Sequence, residues 1–269
     1  MIPFVRVPPW NFMRVPLKTG LQPVALREEF EREGVWLFRW RSYLPLLLLG
    51  LVLLGLRHFG YPEGSHRLDY LWEFACLALS LVGVAIRVAT VGCAPKGTSG
   101  RNTKSQVADS LNTTGLYSIV RHPLYLGNFM IWFGLSLLPR LWWFSLLYLL
   151  IFWLYYERIM FAEEEFLRRK FEQEHLAWAQ RVPAFVPNLK AWRPPDLPFS
   201  IRWALKREYA GLFAVISAFF AMEMIEDFSV TGHLVFDRVW GMIFLVSAVA
   251  YTLLRIVIKG TRLFDAPGR

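Results

Sequence analysis

The chain has 269 residues, 55% of them hydrophobic and 16% aromatic, and its mean hydropathy is +0.34. That is too apolar for an ordinary soluble domain, and it is long enough for several membrane spans with a compact cap. The net charge of +9 is dispersed between apolar segments rather than gathered in one polar domain, which argues against nucleic acid and for membrane orientation and contact with anionic lipid.

In chain order, the first 25 residues are broken by Pro3, Pro8, Pro9, Pro16 and Pro23. They hold no continuous apolar core, so a cleavable signal peptide is not expected. Six segments then approach the ~20 apolar residues that a span needs. The first is Tyr43–Leu56, extended backward by Trp36, Leu37 and Trp40, and the second is Leu71–Val91. The third, Leu124–Leu138, and the fourth, Leu141–Phe161, have only Pro139 and Arg140 between them, which predicts a tight helical hairpin. The fifth is Tyr209–Ile225 and the sixth Val239–Ile258.

Loop charges support the alternation. Arg and Lys crowd the stretches before the first span, between the second and third, between the fourth and fifth, and after the sixth. The opposite loops carry only Arg57, Arg67, Arg140 and Arg238, alongside Glu226, Asp227 and Asp237. The expectation is an all-α polytopic membrane protein with about six transmembrane helices, a cytosolic cap and both termini in the cytosol. Residues 1–42 form a cytosolic or interfacial segment, 43–208 a core, and 209–269 a C-terminal helical pair. Neither Cys76 nor Cys93 has a Cys-x-x-Cys partner, so a disulfide framework or a zinc site is not indicated. Asn112-Thr113-Thr114 reads as a glycosylation sequon, but it falls on the side assigned to the cytosol.

Two polar clusters flank the hairpin. Arg121-His122-Pro123-Leu124-Tyr125-Leu126-Gly127 opens the third segment, and Glu163-Glu164-Glu165 follows the fourth at once. Pro123 suits the first turn of a helix. Arg121, His122 and the amides of that turn then lie at the membrane surface, where they suit a carboxylate or phosphate. A hairpin returns the glutamates to the same face. They accept hydrogen bonds from a ligand hydroxyl or amine, or pair with Arg121. The loop Gly97–Lys104 offers hydroxyls and two cations beside this site, an arrangement suited to a headgroup phosphate. After Glu165, Leu167, Phe171 and Trp178 share one face at roughly helical spacing, predicting an amphipathic helix that lies on the bilayer or caps the spans.

The run from Gly115 to Gly127 resembles the signature of the isoprenylcysteine carboxyl methyltransferase and phospholipid methyltransferase superfamily. Glu163-Glu164, Leu167, Phe171, Trp178, Val182-Pro183 and Pro187 are similar to its second half, and together the resemblance covers roughly residues 70–190. It implies an integral membrane enzyme that uses S-adenosylmethionine to methylate a membrane lipid or lipidated substrate. By that resemblance Tyr117, His122, Pro123, Leu124, Tyr125, Glu163 and Glu164 bind the cofactor, with Asn102 and Asp109–Asn112 as further contributors. Arg121 and His122 act catalytically, and Arg158 is the nearest counterpart of the family's substrate-holding arginine. This chain departs from the pattern at Glu172, where the family usually has Gly, and at His175 and Trp178, where it usually has tyrosines.

Within this reading the acceptor is a headgroup phosphate, as in lipid A phosphate methyltransferases, then a prenylcysteine carboxylate, and third a phospholipid amine, in a bacterial inner membrane or the endoplasmic reticulum. Membrane sterol reductases that use NADPH have a similar Arg-His-Pro turn but typically an acidic residue after its Gly, where this chain has Asn128. A non-catalytic lipid-binding protein that kept the fold is the third reading.

Overall fold

A computed structural model of the protein describes residues 25–40, 50, 66–95, 98 and 108–266. The regular secondary structure of the described residues is helical. They hold one isolated antiparallel bridge, Gly115 with Arg193, and no named strand. The helices are α1 (Leu26–Trp40), α2 (His66–Cys93), α3 (Pro123–Leu137), α4 (Trp142–Ala179), α5 (Ile201–Thr231) and α6 (Arg238–Gly260). The expected all-α architecture holds. Among the described residues α2, α4, α5 and α6 are long and apolar enough to cross a membrane. The expected first span and the loop 97–104, Thr98 apart, lie outside the described residues, as does Asn102.

Two elements differ from expectation. Helix α3 has 15 residues, about 22 Å at 1.5 Å per residue, which is short of a ~30 Å hydrocarbon core. Helix α4 does not end at Phe161. It runs on for 38 residues, with one break at Glu172 (φ 42, ψ −111). Its charged second half therefore stands clear of the apolar stretch. The helix predicted after Glu165 is the continuation of the fourth span rather than a separate element.

Small residues let α2 and α3 pack with their backbones nearly touching. A Cβ on Gly83 would lie 2.4 Å from the Gly127 carbonyl oxygen, and one on Gly127 would lie 2.8 Å from the Gly83 oxygen. One turn along, Ser80 Oγ donates to the Ile131 carbonyl at 2.8 Å. Helix α1 lies antiparallel along α4. Arg27 pairs with Glu165, Tyr155 Oη donates to the Leu37 carbonyl at 3.1 Å, and Arg158 Nε donates to Glu33 Oε2 at 2.6 Å. The core has two parts. One is an aliphatic and aromatic cluster of α2, α3, α5 and α6 around Leu77, Phe219 and Trp240. The other is an aromatic stack between α3 and α4, in which Tyr125, Tyr148, Phe152 and Tyr156 bury their rings. Helix α6 leans on α5 through Tyr209–Tyr251, Phe213–Tyr251 and Phe220–Phe244 ring contacts. It leaves Met242, Leu245, Val246, Val249, Leu253 and Ile256 exposed, as a lipid-facing helix should.

Candidate active site

Pro123 starts α3, as its missing N–H allows. The residue before it, His122, is the N-cap and is 5% exposed. The hairpin turn Leu138–Leu141 then reverses the chain, and Arg140 takes a left-handed φ of 54 within it. The far half of α4 returns past the same end of α3. His122 Nε2 lies 2.9 Å from Glu164 Oε1, and His122 Nδ1 lies 3.7 Å from Glu163 Oε2. Both ring nitrogens therefore face carboxylates. Arg121 Nε is 3.1 Å from the same Glu164 oxygen but is not aligned to hydrogen-bond with it, and its Nη1 donates to the Ala179 carbonyl at 3.4 Å. The His122 ring stacks on Tyr125, which in turn leans on Tyr156. The structure thus brings together Arg121, His122, Tyr125, Glu163 and Glu164, with Pro123 and Leu124 in the turn that carries them.

A strap closes the site. Residues 182–188 lie along 119–122 through main-chain bonds: Arg121 N–H to the Pro183 carbonyl (2.9 Å), His122 N–H to Ala184 (3.3 Å) and Asn188 N–H to Ile119 (2.9 Å). Prolines at 183 and 187 are accommodated because the strap supplies acceptors there and Asn188 supplies the donor. Trp178, buried at 4% exposure, fixes Tyr117 by donating its indole N–H to the Tyr117 carbonyl at 3.0 Å. Burial, aided by the Glu163 carboxylate, pushes the Tyr117 hydroxyl above its ordinary range.

Glu164 lies beyond the apolar part of α4. Burial alone would raise its carboxyl. The His122 hydrogen bond, together with the charges of His122 and Arg121, outweighs that and holds it below the usual carboxylate range. His175, three turns further along the same helix face, is buried, and neither of its ring nitrogens has a partner. Burial pushes its imidazole below the usual histidine range, while Glu164 pulls the other way. Glu163 Oε2 is likewise buried without a hydrogen bond. Arg121 Nε, Glu163 Oε2 and both His175 ring nitrogens are thus buried without a hydrogen bond, the kind of group that a polar ligand can satisfy.

Arg158 is not brought into this cluster. Six residues on a helix turn the side chain through about 240° relative to Glu164, and Arg158 points to α1. There Glu33 engages it and its guanidinium lies 4.7 Å from the Phe30 ring centroid. It borders an open groove of about 700 Å³ between α1 and α4, lined by Trp36, Leu37, Ile151, Leu154 and Tyr155 with Arg32 and Glu33. Glu165 also turns away, to Arg27. Of the lesser candidates, Asp109 and Ser110 are exposed and Asn112 accepts from the Thr114 N–H.

Sequence reasoning missed His175 as a site residue and missed the polar layer beneath. Arg87 of α2 donates to Glu208 of α5 and, through Nη1, to Asn128 Oδ1 at 2.6 Å, and Asn128 Nδ2 donates to Tyr156 Oη at 3.2 Å. A charge inside the apolar run Leu71–Val91 was the available signal.

Residues 73–174 match the family model described as phospholipid methyltransferase. The chain is 33% identical over 158 residues to the nickel-cobalt-cadmium resistance protein NccN of Alcaligenes xylosoxydans xylosoxydans, covering 57% of this chain and 65% of that one. It is 32% identical over 157 residues to the cobalt-zinc-cadmium resistance protein CzcN of Cupriavidus metallidurans, covering 57% and 64%. The chain therefore spans a little under two thirds of the length of these curated relatives. No solved structure matches. The matched segment contains α3, the hairpin and both acidic residues at its exit, so the part of the chain that is similar to phospholipid methyltransferases is the part that builds this cluster.

Proposed function

We propose that the protein is an S-adenosylmethionine-dependent methyltransferase whose acceptor is a membrane lipid or a lipidated molecule. The observation that carries this reading is the meeting of His122 with Glu163 and Glu164 across the hairpin, inside the segment that matches a methyltransferase family.

The residues present fit such a cofactor. Glu163 Oε2, buried without a hydrogen bond and 3.7 Å from His122 Nδ1, is an acceptor for an amine or ribose hydroxyl, and Arg121 is a donor for a carboxylate. Bound S-adenosylmethionine supplies an activated methyl group on a sulfonium. What this chain must add is alignment and exclusion of water. The aromatic stack of Tyr125 and Tyr156 and the strap at 182–188 provide the dry walls. Glu164 holds His122 and Arg121 in place from below. An anionic acceptor, such as a headgroup phosphate or a prenylcysteine carboxylate, needs no base, and Arg121 is the cation of the cluster that would align it. An amine acceptor must first lose a proton, which the buried imidazole of His175 can take. The loop charges support a cytosolic site and cytosolic termini.

The names of the two relatives favour one biological setting, in which the modified lipid contributes to tolerance of divalent heavy metals in a bacterial membrane. The decisive test is incubation of the purified protein in nanodiscs with total lipid extract and methyl-labelled S-adenosylmethionine, followed by mass analysis of the labelled species. Label in one lipid class is expected. Binding of NADPH with no binding of S-adenosylmethionine would select a reductase instead. Binding of neither would leave a lipid-binding protein.

A further inference from the structure

At the end of the bundle away from His122, the first turns of α2, the last turns of α5 and the start of α6 gather carboxylates. Glu73, Glu223 and Glu226 each present an oxygen within 4.8 Å of the other two, and they are 2%, 8% and 2% exposed. Glu223 and Glu226 are one turn apart on α5 and so share a face. Trp240 of α6, itself buried, donates its indole N–H to Glu73 Oε2 at 2.8 Å, which fixes the orientation of that carboxylate. The other oxygen, Glu73 Oε1, and Glu226 Oε1 are buried without a hydrogen-bond partner among the described residues. Asp69, Asp227 and Asp237 lie in the same layer. The cation there, Arg140, is engaged by Asp69, and Tyr70 Oη donates to Asp237. This cluster uses helix α5, which lies beyond the segment that matches the methyltransferase family, and the sequence reading contained no metal site.

We propose that Glu73, Glu223 and Glu226 form a binding site for a divalent metal cation. Three carboxylates this close and shielded from water can all be ionised only with a compensating positive charge beside them. Glu73 and Glu226 each keep one buried oxygen without a hydrogen bond to receive it. The size is right. An ion at the centre of three oxygens no more than 4.8 Å apart sits at most about 2.8 Å from each. A few tenths of an ångström of closure gives the ~2.3–2.6 Å of a calcium–oxygen contact. Carboxylate oxygens without sulfur or imidazole select hard or borderline ions such as Ca²⁺ and Mn²⁺. Trp240 acts as the outer partner that orients a ligating carboxylate, as metal sites generally require. The surrounding aspartates lower the electrostatic potential on the approach from that end of the bundle.

The test uses full-length protein in nanodiscs, stripped with chelator and titrated with Mn²⁺ by electron paramagnetic resonance and with Ca²⁺ and Cd²⁺ by competition. The readout is metal bound per chain, so it stands apart from methyl transfer. One Mn²⁺ per wild-type chain is expected. Binding should weaken at least about 100-fold in Glu73→Gln/Glu226→Gln protein and about 10-fold in Trp240→Phe, in line with loss of an orienting partner. Wild-type protein that binds none of the three ions overturns the proposal, and that measurement needs no variant to fold. Binding that persists unchanged in folded Glu73→Gln/Glu226→Gln protein also overturns it.

Discussion

Arg87 of α2 and Glu208 of α5 meet through two parallel hydrogen bonds, Nε to Oε2 at 2.9 Å and Nη2 to Oε1 at 2.8 Å. The pair ties the family segment to the C-terminal helices, and through Asn128 and Tyr156 it reaches the ring stack under His122. A carboxylate buried as deeply as Glu208 cannot lose its partner cheaply. Arg87→Ala is expected to destabilise the protein by about 3–5 kcal/mol. The volume-preserving double change Arg87→Met/Glu208→Leu should recover most of that loss. Thermal or denaturant unfolding in micelles measures both. Equal damage in the single and double variants would show that the pair itself is unimportant.

Glu163 and Glu164 are adjacent in sequence but do different work. Glu164 holds His122 and Arg121, so Glu164→Gln should lower both the unfolding midpoint and activity. Glu163 meets His122 only at 3.7 Å, and its Oε2 is buried without a hydrogen bond. Losing a charge-assisted hydrogen bond of about 1.5–3 kcal/mol predicts a 10- to 150-fold rise in the Kd for S-adenosylmethionine in Glu163→Gln, with the unfolding midpoint nearly unchanged. Equilibrium binding of the labelled cofactor, set beside a melting curve, separates the two.

Acid should weaken the fold in two stages. The His175 imidazole is held below its usual range by burial. The unfolded chain therefore binds that proton first, and stability falls as pH drops below about 6.5. The Glu164 carboxyl is held low by His122 and Arg121 against the cost of burial. Its contribution is fully present above about pH 4.3 and is lost as pH falls through its folded value. His175→Phe should abolish the first stage and keep the second. A melting-temperature profile between about pH 2 and 8 reads both stages. A variant profile that still bends near pH 6.5 would place the first stage elsewhere.

Glu172 occupies a backbone conformation (φ 42, ψ −111) that side chains avoid. It is exposed, so its side chain gives little in return. Strain of this kind costs about 1–3 kcal/mol, partly offset in glycine by its freer unfolded state. Glu172→Gly is expected to raise stability by about 1 kcal/mol with no change in ligand binding. A destabilised Glu172→Gly protein would mean that α4 runs straight through this point in solution.

Gly83 and Gly127 allow no intermediate spacing between α2 and α3. A methyl at 127 meets Arg87 Cγ at 2.5 Å as well as the Gly83 oxygen. Gly127→Ala should therefore cost about 1–3 kcal/mol, and it should also disturb Asn128 through the displaced Arg87. Gly83→Ala, which meets only backbone and Ile131, should cost a similar amount but spare the Arg87–Glu208 pair. The unfolding free energies of the two variants, with and without Glu208→Gln, test the distinction.

The hairpin and its polar ends were legible because the signals are local. An apolar run that stops at Phe161 and three glutamates in succession fix which face they share. The glycine missing at 172 was legible as a departure from a family pattern, and its meaning became plain only with the backbone angle. Arg87 and Glu208, 121 positions apart, were not legible. Each is a single charge in or beside an apolar run, and no periodicity links one to the other. Glu73, Glu223 and Glu226 were hidden for the same reason: two helices must pack before their oxygens meet. Arg158 misled because spacing along the chain says nothing of the helix face, and Glu33 of α1 claims it.

The strap over the site is held by peptide groups rather than by side chains. Its lettering can therefore drift between species while the lid stays shut, provided that the acceptors at 183 and 184 and the donor at 188 survive. A comparison of orthologues that scores only residue identity would rate this stretch expendable, whereas deleting a single residue from it would slip every bond by one and unseat the turn that carries His122.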